Sequence, residues 1–168
     1  MRSYILKILF GILVCIASQS SQGHEEPTSF LELHVESGSL NASLVTSIAD
    51  LAHELEEVEP QMLLNPSVLH QHEKQLVEIL LSRLHLKADG ITLTGSLISA
   101  SPVPERDDIR FNLKYDGPPQ LRELAVECKL FPYDSRHRTY LNVYQGKSMT
   151  RQEVFEGAVT TATFSISG

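Results

Sequence analysis

Tryptophan is absent from these 168 residues, and cysteine occurs only twice, as Cys15 and Cys128. Cys15 lies inside an apolar leader, so a chain processed after that leader keeps one thiol and can close no internal disulfide. A disulfide-stapled scaffold is excluded, and the fold must stand on its core. Basic side chains are scarce too: 14 Lys and Arg face 21 Asp and Glu, a formal charge of −7, and loss of Arg2 and Lys7 with the leader moves it to −9. An acidic surface repels phosphates. The nearest basic cluster, Arg136, His137 and Arg138, is too short for a nucleic-acid footprint or for attraction to anionic lipid, so no nucleic-acid partner is expected.

Long hydrophobic runs are missing with one exception. Residues 8–17 follow Arg2 and Lys7 and lead into the small polar stretch 18–23. A positive start, an apolar run of this length and a Ser21-Gln22-Gly23 exit have the form of a secretory signal peptide, whereas a spanning helix needs about 20 apolar residues. The expected organisation is a signal peptide over 1–23 and one exported domain over 24–168, periplasmic in a bacterium, with no transmembrane segment in the mature chain. A length near 145 residues suits one domain with one core.

Period-two alternation dominates the chain beyond the leader. In 30–36, Leu31, Leu33 and Val35 alternate with Phe30, Glu32, His34 and Glu36, the pattern of a half-buried strand, and Leu40, Ala42, Leu44, Thr46 and Ile48 repeat it after the Ser37-Gly38 turn. Residues 49–57 have helical composition. Asn65-Pro66-Ser67 then opens a longer helix, with apolar residues at Leu69, Leu76, Ile79, Leu80 and Leu84. Asp89-Gly90 is a hairpin signal, and Leu84-His85-Leu86 before it also reads as alternation. From Ile91 onward short β runs are separated by turn residues. The spacing predicts a mainly β chain: an antiparallel β-sandwich, immunoglobulin-like in style, with a helical insertion of one short and one long helix at about 49–84.

The segment Cys128-Lys129-Leu130-Phe131-Pro132-Tyr133-Asp134-Ser135-Arg136-His137-Arg138, with the apolar strand that ends at Val143-Tyr144, is similar to the LFPYD segment of the HupE/UreJ family of bacterial membrane proteins. The stretch from His24 to Leu33, together with Ile48-Ala49-Asp50-Leu51 and Leu86-Lys87-Ala88-Asp89-Gly90, resembles the family's extracytoplasmic region in order and spacing. The resemblance implies an exported, noncatalytic domain that binds a protein partner, a membrane protein among the candidates, and supports nickel or cobalt uptake or an accessory system. The family's His-x5-Asp-His metal motif has no counterpart here, so no transport residue carries over.

Several residues invite a chemical reading. If processing follows Gly23, His24 becomes the amino terminus, and its amine and imidazole could chelate Ni²⁺ or Cu²⁺ with His34 and Glu32 nearby; the plain alternative is a frayed terminus beside a wet strand face. His70 and His72 point about 200° apart on a helix and cannot share an ion. His53 and Glu57 have the spacing of one metal edge if the short helix spans both. Asp134, Ser135 and His137 are adjacent, but a nucleophile triad converges through the fold and not along the chain. Phe131, Pro132, Tyr133, Asp134, Arg136, His137 and Arg138 read instead as a structural turn or a partner contact, built on the fixed φ of proline and an Asx bond from aspartate. Cys128 alternates with Val126 and Leu130, which predicts a buried, inert thiol.

Overall fold

The structure, a computed structural model, describes residues 27–166. The leader and His24 lie outside the described residues. Ten strands and two α-helices follow in chain order: β1 Thr28–Glu36, β2 Ser39–Ser47, α1 Ile48–His53, a 3₁₀ turn Pro60–Leu64, α2 Pro66–Leu81, β3 Leu84–Ala88, β4 Ile91–Thr92, β5 Gly95–Pro102, β6 Asp108–Asp116, β7 Glu123–Cys128, β8 Arg138–Gln145, β9 Ser148–Phe155 and β10 Thr161–Ser165. The strands form a six-stranded sheet in the order β5-β6-β2-β1-β8-β9 and a four-stranded sheet in the order β10-β7-β3-β4. The chain is thus the expected β-sandwich with a helical insertion.

Alternation decides which residues fill the space between the sheets. Leu31 and Leu33 of β1, Leu44 of β2, Phe111 and Leu113 of β6, and Leu141 and Val143 of β8 are buried in one cluster with Leu86, Leu124 and Val126 of the smaller sheet. Turn chemistry fixes the hairpins: Asp89 and Gly90 both take positive φ, 48° and 82°, as a two-residue hairpin with right-handed strand twist requires. One pair departs from the antiparallel rule, because β1 runs parallel to β8, Phe30 opposite Tyr140 and His34 opposite Tyr144. Such a pair needs a long crossover, and residues 37–137 lie between the two strands.

The helices are shorter than composition suggests. α1 starts where Ser47 caps the Asp50 amide with its hydroxyl and stops at His53; Glu57, at φ 60°, lies beyond it. α2 opens with Asn65 accepting from the Ser67 amide, carries Pro66 in its first turn, and buries Leu69, Leu76 and Leu80. It ends at Leu81. Leu84 therefore belongs to β3, paired with Cys128, and the helical insertion closes three residues earlier than the apolar periodicity predicted. Among the described residues no helix is long and apolar enough to cross a membrane.

Candidate functional site

The loop from β7 to β8 holds the LFPYD residues, and its order comes from contacts at both ends. Phe131 is buried and meets Tyr133 and His137 edge-on, at ring centroid distances of 6.0 and 4.7 Å. Asp134 forms the expected Asx turn: its Oδ1 accepts from the Arg136 amide at 2.9 Å, and the Arg136 guanidinium returns to the same carboxylate at 3.3 Å. Those bonds hold the half-buried Asp134 carboxyl below the usual carboxylate range, the Arg136 amide contributing most. Pro132, Ser135 and Arg136 form the exposed rim. Arg138 opens β8 and reaches Glu156 at 2.6 Å.

Behind this loop lies a buried polar network that joins four parts of the chain. His137 Nε2 is 3.0 Å from Ser29 Oγ on β1, and Ser29 donates to Thr46 Oγ1 on β2 at 2.8 Å. His137 Nδ1 faces Asp50 Oδ2 on α1 at 3.5 Å, a close approach without an aligned hydrogen bond. Ser47 donates to Asp50 Oδ2 at 2.9 Å, and the Tyr133 hydroxyl donates to Asp50 Oδ1 and to its main-chain oxygen, each at 3.2 Å. The Tyr133 ring stacks on His53 with centroids 3.7 Å apart. Burial alone would raise the Asp50 carboxyl; the adjoining His137 imidazole, with the hydroxyls of Ser47 and Tyr133, outweighs it and holds the group below its ordinary value.

Ser29, His137 and Asp50 stand in the contact order of a nucleophile triad, yet the chemistry does not follow. Ser29 is 0% exposed and its hydroxyl is spent on Thr46, so no substrate carbonyl can reach it. Nor is there a route through Ser135, because both His137 nitrogens are turned toward Ser29 and Asp50. The network is a brace. Its partners Ser29, Thr46, Asp50 and His53 escaped the sequence reading as a group, although Ser29 and Thr46 are polar at inward positions of strands that otherwise place leucine there.

The remaining candidates fall apart from one another. His34 lies on the outer face of β1, stacked on Tyr144 at 4.7 Å, with Glu32 Oε2 4.0 Å from its Nε2. Among the described residues no group of three or more His, Cys, Asp or Glu side chains is arranged to hold a metal. The proposed His53–Glu57 edge has no helix beneath it, since α1 ends at His53 and Glu57 sits in a left-handed turn. His70 is exposed beside Glu73. Cys128 is buried, its thiol pushed up to about 12 by burial, which leaves it unreactive. A cleft of about 230 Å³ opens between the LFPYD loop and the 156–160 turn, with Phe131, His137 and Phe155 among its walls.

The outer face of the six-stranded sheet carries three rows of side chains. Val45, Phe30, Tyr140 and Val154 form one; Asn112, Ser43, Glu32, Asn142 and Gln152 form a polar row across the middle; Lys114, Asn41, His34, Tyr144 and Met149 form the third. Phe30 and Tyr140 stack at 5.6 Å, and Phe30 remains 40% exposed. Two aromatic pairs therefore stand on an open sheet face. The fold and this surface define a β-sandwich domain with a braced loop and, among the described residues, a partly exposed aromatic face on which Arg106 lies over the Phe30 ring at 5.9 Å. No protein-family model matches the chain, and no curated protein matches it significantly.

Proposed function

We propose that the chain is an exported, noncatalytic β-sandwich domain that binds a protein partner in the cell envelope through the outer face of its larger sheet. The observation that carries this reading is the pair of cross-strand stacks, Phe30 on Tyr140 and His34 on Tyr144, on the outer face of an interior strand pair of that sheet. Partly exposed aromatics flanked by amides and hydroxyls have the composition of an interface: the rings supply area at little entropic cost, and the polar row fixes register. Packed against one another, the rings keep their positions before a partner arrives.

The similarity of the 128–144 segment to the HupE/UreJ extracytoplasmic region points to the partner class, a membrane protein of nickel or cobalt uptake. Co-purification tests it: the chain, produced in its own host, should retain the HupE/UreJ-type membrane protein encoded there. A Phe30→Ala/Tyr140→Ala variant of unchanged stability should lose most of that retention. Equal retention by the variant would remove the outer face from the reading, and no retention by the unaltered chain would remove the partner class. Stoichiometric Ni²⁺ or Cu²⁺ binding in calorimetry, abolished by His24→Ala, would support instead a metal-binding protein that uses its processed amino terminus.

A further inference from the structure

The polar row across the outer face is paired off at both ends and open at its centre. On one side Asn112 donates to Ser99 of β5 at 3.0 Å, and on the other Gln152 donates to Asn142 at 2.9 Å. Between them Ser43 and Glu32 lie directly opposite one another on β2 and β1, the two middle strands of the six. Among the described residues neither side chain has a hydrogen bond. Glu32 also meets no lysine or arginine there; its one ionic contact is His34, at 4.0 Å. Arg106 is matched instead to Asp108 at 2.7 Å, and Lys114 to Asp116 at 3.7 Å. Glu32 is the one carboxylate in the three rows, and 46% of its side chain is exposed.

We propose that the protein partner meets this face with an arginine whose guanidinium settles on Glu32 and Ser43, between the two aromatic pairs. The inference rests on the outer face being the binding surface. A partner that covers the face takes Glu32 out of water, and burying an anion without a counter-charge is costly enough that the covering surface must bring a cation to it. Charged groups are depleted at the centres of interfaces for this reason, and a carboxylate that stands at the centre requires a matched donor. Truncation of such a group is felt most strongly where the surrounding contacts exclude water, as the flanking rings would here.

The surroundings of the carboxylate favour a guanidinium over an ammonium. Phe30 and His34 stand four residues apart on β1, about 13 Å along the strand, and Tyr140 and Tyr144 repeat that spacing on β8. An arriving side chain therefore passes between two aromatic pairs before it reaches Glu32. A guanidinium is planar and weakly hydrated, and it lies readily against rings. Its fork offers two N–H groups to the carboxylate and keeps others for the Ser43 hydroxyl oxygen. An ammonium holds its water more tightly and would meet Glu32 only as a point charge.

Affinity for the retained membrane protein, measured by biolayer interferometry in detergent with the chain as its host processes it, tests this. Glu32→Gln keeps the shape and loses the charge, and should weaken binding by about tenfold or more; Ser43→Ala should weaken it less, by about threefold. Affinity of the unaltered chain should fall with salt, and E32Q should lose most of that dependence. Butanedione treatment of the partner's arginines should weaken binding of the unaltered chain as E32Q does and cost the variant nothing further. Urea midpoints establish that the variants fold. Undiminished binding by folded E32Q, with the Phe30→Ala/Tyr140→Ala variant still defective, would overturn the arginine contact and leave the aromatic face in place. Loss of binding on acetylation of the partner's lysines, but not on butanedione treatment, would overturn the choice of arginine. No retention by the unaltered chain, or full retention by the aromatic variant, would remove the face and this contact with it.

Discussion

Arg83 grips Glu54 with both ends of its guanidinium, Nη1 2.7 Å from Oε1 and Nη2 2.9 Å from Oε2, and Nη1 also donates to the Leu130 carbonyl at 2.6 Å. One side chain thereby ties the turn after α2, the C-cap of α1 and the start of the LFPYD loop. At 24% and 12% side-chain exposure the pair is partly shielded from water, so its loss should cost more than that of a surface ion pair. Arg83→Ala should destabilise by about 2–3 kcal/mol, the carboxylate and carbonyl both losing their donor. Arg83→Lys keeps the charge but not the fork and should cost about half as much. Urea unfolding of the two variants checks the order and the spacing.

Gly95 and Tyr115 make a second, opposite pair of predictions. A Cβ on Gly95 would lie 2.6 Å from Tyr115 Cε1 and 2.8 Å from Leu81 Cδ2. Both neighbours are held in place, the tyrosine ring by the core and the leucine by the end of α2. Gly95→Ala should therefore destabilise by about 1–3 kcal/mol through overpacking. Tyr115 itself is buried, and its hydroxyl meets no hydrogen-bonding group of the described residues. Tyr115→Phe removes a desolvated polar atom without disturbing shape and should be neutral or stabilising by about 1 kcal/mol. A clear loss of stability in Y115F would show that the hydroxyl is satisfied in solution.

The architecture was legible wherever one face of a strand is buried, because alternation then records the face. The β1–β2 hairpin and the Asp89-Gly90 turn follow from such patterns, and so does the division between outer Phe30, His34 and inner Leu31, Leu33. Helix limits were less so. Leu84 continues the apolar spacing of α2 while also fitting the alternation of β3, and only its pairing with Cys128 decides between them. The brace was hidden for a different reason: Ser29, Thr46, Asp50 and His137 are brought together by β1 pairing with β8 across the intervening residues 37–137. Nothing local to any of these residues encodes that meeting. The LFPYD turn is the reverse case, since Asp134 and Arg136 satisfy one another two residues apart.

Tyr133 holds the loop to α1 in two separable ways, by its ring on His53 and by its hydroxyl on Asp50. Tyr133→Phe keeps the stack and should cost about 1 kcal/mol, the value of a partly buried hydrogen bond. Tyr133→Ala removes both and should cost roughly 1 kcal/mol more. In a His53→Ala background the second difference should shrink while the first persists, because only the second depends on the imidazole. A double-mutant cycle measured by chemical denaturation reads both.

The acid stability of the domain should depend on Asp50. Its carboxyl lies below the ordinary value of 3.8 in the folded chain, because what burial costs the anion is outweighed by His137, Ser47 and Tyr133. A depressed folded value means that the unfolded chain takes up its proton first as the pH drops. The stabilisation is therefore complete above the unfolded value and is lost as pH falls through the folded one. Asp50→Asn cannot ionise. At pH 7 it should be less stable than the unaltered chain by about 1–3 kcal/mol, having lost the charged acceptor of the Ser47 and Tyr133 hydroxyls beside His137. Below pH 4 that gap should narrow steadily, since the carboxyl itself becomes neutral there. Urea midpoints for both chains between pH 7 and pH 2 measure the gap; one that stays constant would mean that the Asp50 carboxyl titrates alike in the folded and unfolded chains, and one that widens as pH falls would mean that it is neutral when folded.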